Sequence, residues 1–330
     1  MRPLSTRRFL TALSLGAIAV ACSNAGADFG LSVNTTNAVS VVVYLDRDGS
    51  RTPSIPIDTA FNGARVALLV AGSGDTVKTV TTNIAGLARF NGVPLGRYTV
   101  VVVPSSIGDS IQVQKVEPES LTVGFSDTNT VVLARLGYPE VSIRQARALP
   151  AGRRVFIRGI VLAGVQSFRD TTSHVADSSG QIRLTRVSLR GGAVGNAPGD
   201  SVSVLGLTSS RAGQPTLDNA LISKFGQRPA PTPLDVATGT AATANIGALD
   251  AALVRVTGAL ISDTSTVAPD FKVVANDGSG TLNIILDANI SFNRTAFRPG
   301  RSMIVKGVLV PDGQGGWSLK PREVSDVLLL

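Results

Sequence analysis

Two stretches of this 330-residue chain, about one hundred residues apart, carry the same landmarks in the same order. Arg153–Val161 answers to Ala252–Leu260, and Asp177–Gly180 answers to Asp277–Gly280. Pro198–Asp200 falls opposite Pro299–Arg301, Gly206 opposite Gly307, and Leu217 opposite Leu319. The offset drifts only from 99 to 102 residues, which marks one unit duplicated in tandem. No other feature constrains the fold as strongly, because an architecture that suits one copy must suit the other.

Helical periodicity is nearly absent. Short runs rich in Val, Ile, Leu and Thr recur between Gly, Pro, Asn and Asp clusters, the pattern of an all-β chain. Ser40–Leu45, Ala64–Val70, Tyr98–Val103, Val155–Leu162, Val202–Thr208, Leu253–Ile261 and Met303–Val310 are predicted strands. Only Val141–Leu149 and Ile246–Ala251 read as short helices. Within each copy the order is strand, strand, Gly turn, strand, long crossing, strand, hairpin, strand. Five strands with the long connection between the third and fourth is the layout of the OB-fold, a partly open Greek-key barrel. The chain therefore divides into residues 1–21, 22–37, 38–137, 138–228 and 229–330.

The segment 38–137 is a different β unit. It opens with Val41–Gly49 and continues through Asn62–Leu68. It ends on Phe90–Val100, where Val93-Pro94-Leu95-Gly96 forms a turn and Tyr98 starts a Val-rich strand. This order resembles the Cna-B and SdrD-B modules of surface adhesins, akin to prealbumin-like and carboxypeptidase regulatory-like domains. The resemblance implies an Ig/prealbumin-like β-sandwich of about seven strands. The two later copies resemble OB-like modules that accompany nucleases and phosphatases in secreted bacterial proteins. The segment Ser142–Gly152 leads into the first strand as it does there, and no nuclease domain is recognised in this chain.

The N-terminus fixes the expected compartment. Arg2, Arg7 and Arg8 precede Phe9–Val20, an apolar run too short to span a bilayer comfortably. It exits through Ile18-Ala19-Val20-Ala21-Cys22, which is similar to the lipobox of bacterial lipoproteins with Ala19 in place of the commoner Leu. By that resemblance residues 1–21 are a signal peptide and Cys22 is the lipidated N-terminus of the mature chain, carrying palmitate-type acyl chains. The lone cysteine fits this role, having no disulfide partner. Ser23 stands where an inner-membrane retention Asp would stand, which favours the outer membrane. Residues 22–37 read as a flexible tether.

Charge is unevenly spread. Residues 22–140 hold 8 basic and 10 acidic side chains, residues 141–228 hold 12 and 4, and residues 229–330 hold 8 and 9. The positive excess lies in the middle unit. On an OB-fold, strands 2 and 3 with the loops joining strands 1–2 and 4–5 make the usual ligand face. Those elements carry Arg169, His174, Arg183, Arg186 and Arg211, a candidate polyanion site for nucleic acid or acidic glycan. Strand phase puts Arg183 and Arg186 on opposite faces unless a bulge intervenes. The copy offers only Phe156, Phe168 and Phe225 as stacking platforms, so such binding is expected to be electrostatic.

In the first unit Asp46, Asp48 and Ser50 alternate like the opening ligands of a calcium loop, with Asp58 as a later donor. The SdrD-B resemblance implies structural calcium there, although Arg51 and Pro53 stand where further acids would be. The competing reading is a plain Asp-Gly turn. No other cofactor is expected. Catalysis is not: His174 is the single histidine, placed at a strand edge and facing solvent, and no nucleophile elbow or zinc ligand set accompanies it. Two function classes stay open, a polyanion-binding module and a structural or adhesive stalk. Arg169, Arg183 and Arg211 on one face favour the first.

Overall fold

Strand follows strand along almost the whole chain, because β-branched residues alternate with polar ones between glycine-rich turns. The computed structural model describes residues 37–54, 57–125, 129–190 and 196–330. The expected signal peptide, Cys22, Ser23 and the tether up to residue 36 lie outside the described residues. Residues 35–330 cluster as one unit. No helix among the described residues is long and apolar enough to cross a membrane.

The first unit is a β-sandwich. Its strands are β1 (Ala38–Leu45), β2 (Thr59–Ala60), β3 (Arg65–Val70), β4 (Thr76–Thr81), β5 (Leu87–Asn91), β6 (Gly96–Val102), β7 (Gln112–Glu117), β8 (Ser120–Val123) and β9 (Asn129–Gly137). One sheet runs β2-β1-β9-β7, with β5 also on β1, and the other runs β4-β3-β6-β8. β1 pairs with β9 in parallel and with β5 antiparallel, so it is central and its Val39, Val41 and Val43 are fully buried. They meet Val66, Leu68, Tyr98 and Val100 from the other sheet. Tyr98, Val100 and Val102 face inward while Val101 is exposed, as period-2 geometry requires. The Tyr98 hydroxyl donates to the Pro94 carbonyl at 2.8 Å and closes the turn before its strand.

The next elements are α1 (Ile143–Ala148), β10 (Arg154–Ala163), β11 (Ser173–Asp177), β12 (Gly180–Leu184), β13 (Ser188–Leu189), β14 (Asp200–Arg211) and β15 (Gln214–Gln227). The second copy has β16 (Leu234–Asp235), α2 (Thr238–Ala242), β17 (Leu253–Val267), β18 (Asp270–Asn276), β19 (Thr281–Leu286), β20 (Ser302–Pro311), β21 (Trp317–Lys320) and β22 (Val327–Leu329). Both close into five-stranded barrels. The first follows β10-β11-β12-β15-β14 back to β10, and the second follows β17-β18-β19-β21-β20 back to β17. In each the third strand pairs in parallel with the fifth, so the strand order is that of an OB-fold.

Register shows the duplication. Val155 pairs with Gly206, and Val254 pairs with Gly307. A bulge follows Val161 in one copy and Ile261 in the other. Gly159 and Gly258, matched by sequence, behave differently: Gly159 sits in a regular ladder, whereas Gly258 has φ +73° at a bulge between Thr257 and Ala259. That extra residue accounts for the first step in the offset.

In both copies the short helix precedes strand 1, and the turn between strands 2 and 3 caps it. Asp177 accepts from Ile143 N (2.9 Å) and Ser179 Oγ from Arg144 N (3.0 Å). Asp277 accepts from Thr238 N (3.0 Å) and Ser279 Oγ from Gly239 N (2.9 Å). The second helix is therefore Thr238–Ala242, and the expectation of a helix over Ile246–Ala251 is corrected. Ala244, Asn245 and Ile246 have φ of 45°, 47° and 57°, left-handed values that a right-handed helix cannot contain. Ile246 is almost fully exposed, so its apolar side chain marks no buried helix face.

The three units dock on one another. Phe156 and Leu205 on the outer wall of the first barrel join the sandwich core. Leu162, Ala163 and Phe168 of the first barrel pack with Leu253 and Val308 of the second.

Candidate functional site

The loop joining β10 to β11 is held by the second barrel. Arg169 N donates to the Asp287 carboxylate (3.2 Å), and Asn289 Nδ2 donates to the Gln166 carbonyl (2.6 Å). Lys320 Nζ donates to Asp287 (2.9 Å), lies 3.9 Å from Asp170, and sits 4.5 Å from the centroid of the Phe168 ring. A lysine this buried needs those two carboxylates and the ring face to offset its lost hydration.

This docking redistributes the expected polyanion residues. His174 is not at the surface; it is fully buried on β11, edge-on to Phe168 with centroids 6.0 Å apart. Neither of its ring nitrogens has a hydrogen-bond partner among the described residues. Burial, reinforced by the nearby Arg183 charge, lowers its pKa to about 3, so it stays neutral. Arg186 lies beyond the end of β12 at φ +47°, with its guanidinium paired to Asp218. Strand phase does not decide its face relative to Arg183, because the strand has already ended at Leu184. Arg169 is exposed beside the barrel junction but does not line a cleft there.

Arg183 and Arg211 are brought together. Arg183 Nη2 donates to the Arg211 carbonyl (3.3 Å), and both side chains line a cleft of about 520 Å³ between the barrels. The far wall is the ligand-face region of the second barrel: Val267, Lys272 on β18, Asn283 on β19, and the Asp312–Gln314 turn after β20. Arg183 Nε is buried and without a hydrogen-bond partner among the described residues. Burial lowers its pKa; Asp250 opposes this, while the Arg211 charge adds to it. An arginine remains charged under these conditions, so the cleft wall presents a partly dehydrated cation. The two acids of the cleft are engaged. Asp312 accepts from Gln314 N (2.8 Å) and Gly316 N (3.0 Å), and Asp170 accepts from Thr172 N (3.1 Å) and Thr172 Oγ1 (2.8 Å).

Five of the twelve basic residues in 141–228 sit within ion-pair range of a carboxylate: Arg147, Arg158, Arg186, Arg190 and Lys224. The others, Arg183 and Arg211 among them, have none among the described residues. Lys272, Asn283 and Gln314 were missed in the sequence because the second copy is near neutral overall. Mapping its own strands 2 and 3 would have found the first two.

In the sandwich, oxygens of Asp46, Asp48 and Asp58 lie within 4.8 Å of one another. Asp46 accepts from Gly49 N (2.6 Å) and Arg51 N (3.1 Å), and Asp58 from Arg47 N (3.1 Å) and Ser54 N (2.9 Å). Burial raises the Asp46 pKa against its two backbone donors, with Asp48 and Asp58 adding to the rise. Burial also pushes Asp48 upward, but hydrogen bonds from Ser50 and Asp46 and the Arg190 charge outweigh it, and its pKa is lowered. Ser50 is exposed and its Oγ donates to the Thr52 carbonyl (3.0 Å). Three converging carboxylates fit a hard divalent cation, and Asp46, Asp48 and Asp58 would hold calcium there.

No family model matches the chain, and no curated protein matches it. Among solved structures, one chain of the S. pombe Stn1-Ten1 complex aligns at 17% identity and TM-score 0.21, over 24% of this chain and 57% of that one. Asparaginyl-tRNA synthetase from Pyrococcus horikoshii aligns at 20% identity and TM-score 0.22, over 25% of this chain and 20% of that one. An OBody bound to hen egg-white lysozyme aligns at 15% identity and TM-score 0.24, over 30% of this chain and 93% of that one. This chain thus covers a little over half of the first of these structures and a fifth of the second.

Proposed function

We propose that this chain is a non-catalytic, lipid-anchored protein of the cell envelope that binds a polyanion in the cleft between its two barrels. The observation that carries the reading is the placing of Arg183 and Arg211 on one cleft wall, opposite Lys272, with no carboxylate within ion-pair range of either arginine among the described residues. Guanidinium groups held without carboxylate partners favour an incoming phosphate, sulfate or carboxylate. No aromatic side chain lines the cleft among the described residues, so recognition is of charge rather than base. The site differs from the one expected on the first barrel alone, since the second barrel supplies the opposite wall.

The lipobox-like run ending at Cys22 supports export and anchoring, and Ser23 supports the outer membrane. A Cys22→Ser protein should take up no tagged fatty acid, and label persisting in it refutes the anchor. The sandwich, similar in motif order to Cna-B and SdrD-B modules, serves in this reading as the spacer between the tether and the barrels.

Binding is tested with residues 35–330, a single-stranded DNA oligonucleotide and heparin at several salt concentrations. The logarithm of the affinity should fall linearly with log salt. Arg183→Glu with Arg211→Glu should weaken it at least about tenfold near 50 mM salt. Arg186→Ala, already paired to Asp218, should change little. Absence of binding, or binding unaffected by the double charge reversal, overturns the cleft. A second reading, a rigid adhesive stalk, is favoured by the docking of all three units through Phe156, Leu205 and Phe168.

A further inference from the structure

We propose that the seam between the sandwich and the first barrel holds a separate, smaller anion site, built by Arg47, Arg154 and Arg190 for a single phosphate or sulfate group. The three side chains line a cavity of about 250 Å³, and no carboxylate lines it among the described residues. They reach it from different elements. Arg47 follows β1 in the sandwich, Arg154 opens β10, and Arg190 follows β13. Three like charges share the lining of one cavity, and a bound oxyanion would be attracted by all of them.

Arg47 and Arg154 have no carboxylate within ion-pair range among the described residues, whereas Arg190 is ion-paired to Asp48 behind the cavity wall. The Arg154 guanidinium lies 5.3 Å from the centroid of the Tyr138 ring, which orients it while leaving its N–H edge free for a ligand. The turn bearing Arg47 is fixed by its backbone N–H, which donates to Asp58 (3.1 Å). Arg190 Nη2 donates to the Ile57 carbonyl (3.0 Å), while Nη1 is buried without a hydrogen-bond partner among the described residues. A carboxylate oxygen of Asp48 lies 3.8 Å from that nitrogen, an ion pair without a hydrogen bond that offsets part of the Arg190 charge and leaves the N–H groups of Nη1 unfilled. Ser188 and Asn219 add neutral donors, and Leu205 and Leu221 give an apolar wall that strengthens charge–charge attraction.

The cavity volume suits one tetrahedral oxyanion with a short ester stub, not a length of polymer. Arginine is the residue suited to it, because its planar fork matches two oxygens of a phosphate or sulfate at once. None of these three residues lines the inter-barrel cleft, so the site stands whether or not that cleft binds.

Calorimetric titration of residues 35–330 with sodium phosphate and with sodium sulfate, at low ionic strength, reads the site directly. One saturable event is expected with at least one of the two anions. Arg47→Ala and Arg154→Ala should each weaken it about tenfold, the loss of one charge-assisted contact. Arg183→Glu with Arg211→Glu should leave it unchanged while removing polyanion binding in the cleft, which separates the two sites. Arg47 is exposed, so its replacement by alanine should preserve the fold, and an unchanged thermal melt verifies this. A sugar phosphate and a sulfated monosaccharide are titrated in parallel. Tighter binding of an ester than of its free ion identifies the terminal group of a larger ligand, and exclusion of both esters identifies the free ion. The site is refuted if neither ion nor either ester saturates, or if the Arg47→Ala, Arg154→Ala double variant binds as the parent does.

Discussion

At the scale of single residues, the imidazole of His174 couples stability to pH. Burial holds its pKa at about 3, with Arg183 adding to the effect and Asp170 opposing it. In the unfolded chain it titrates near 6.5. Between these values the unfolded state binds the extra proton, so stability from this residue is complete above 6.5 and is lost as pH falls toward 3. From pH 7.5 to pH 5 the loss should be about 2 kcal/mol. Denaturant unfolding of residues 35–330 at the two pH values should show that difference, and His174→Leu should remove it. Identical pH dependence in parent and variant would show that the imidazole is not sequestered. The sequence placed this residue at the surface because alternation along β11 cannot show that the neighbouring loop folds over it. Phe168 and Lys320 come from other elements, the latter from the other barrel.

Among the secondary-structure elements, the shared device of the two barrels is the turn that caps a helix from across the fold. Asp177 holds the N-terminus of α1 and Asp277 that of α2, each with a serine two residues on. Hydrogen bonds from Ser279 and Thr238 outweigh burial and keep the Asp277 carboxyl well below the usual range, so its contribution is present above about pH 4 and fades on acidification. Asp177→Ala and Asp277→Ala should each cost about 1–2 kcal/mol in denaturant unfolding at pH 7. A cost below a few tenths would mean that the caps are incidental. The matched Asp-x-Ser-Gly runs were visible in the sequence, and so was the five-strand order, because both depend on local spacing. Their partners were not, since a cap reaching about 34 to 40 residues back leaves no periodic mark. Gly307 was legible for a related reason. A Cβ there would overlap the Lys320 carbonyl, and Gly307→Ala should lower the melting temperature of residues 35–330 by several degrees.

Across the whole molecule, the proposed sites lie at the seams, and a sequence read domain by domain averages the seams away. The excess charge of residues 141–228 predicted a patch on one barrel, whereas docking sends Arg183 and Arg211 to one junction and Arg154 and Arg190 to another. The acidic triad also belongs to a seam. Its loop is gripped by the first barrel: Ser203 Oγ donates to the Asp48 carbonyl (2.9 Å), Arg158 Nη2 to the Gly49 carbonyl (3.1 Å), and Arg190 Nη2 to the Ile57 carbonyl (3.0 Å). A cation bound by Asp46, Asp48 and Asp58 would therefore stiffen the sandwich and its attachment to the barrel together. Calcium at a hundredfold excess over its Kd should stabilise residues 35–330 by about 2.7 kcal/mol. It should also slow trypsin cleavage after Arg51, an exposed bond at the seam. Burial raises the Asp46 pKa, so calcium must displace a proton more readily held than usual, and its effect should weaken as pH is lowered. Asp46→Asn with Asp58→Asn should abolish both the thermal shift and the protection. If millimolar calcium moves neither, or moves the double variant equally, the three carboxylates serve only to shape the turn.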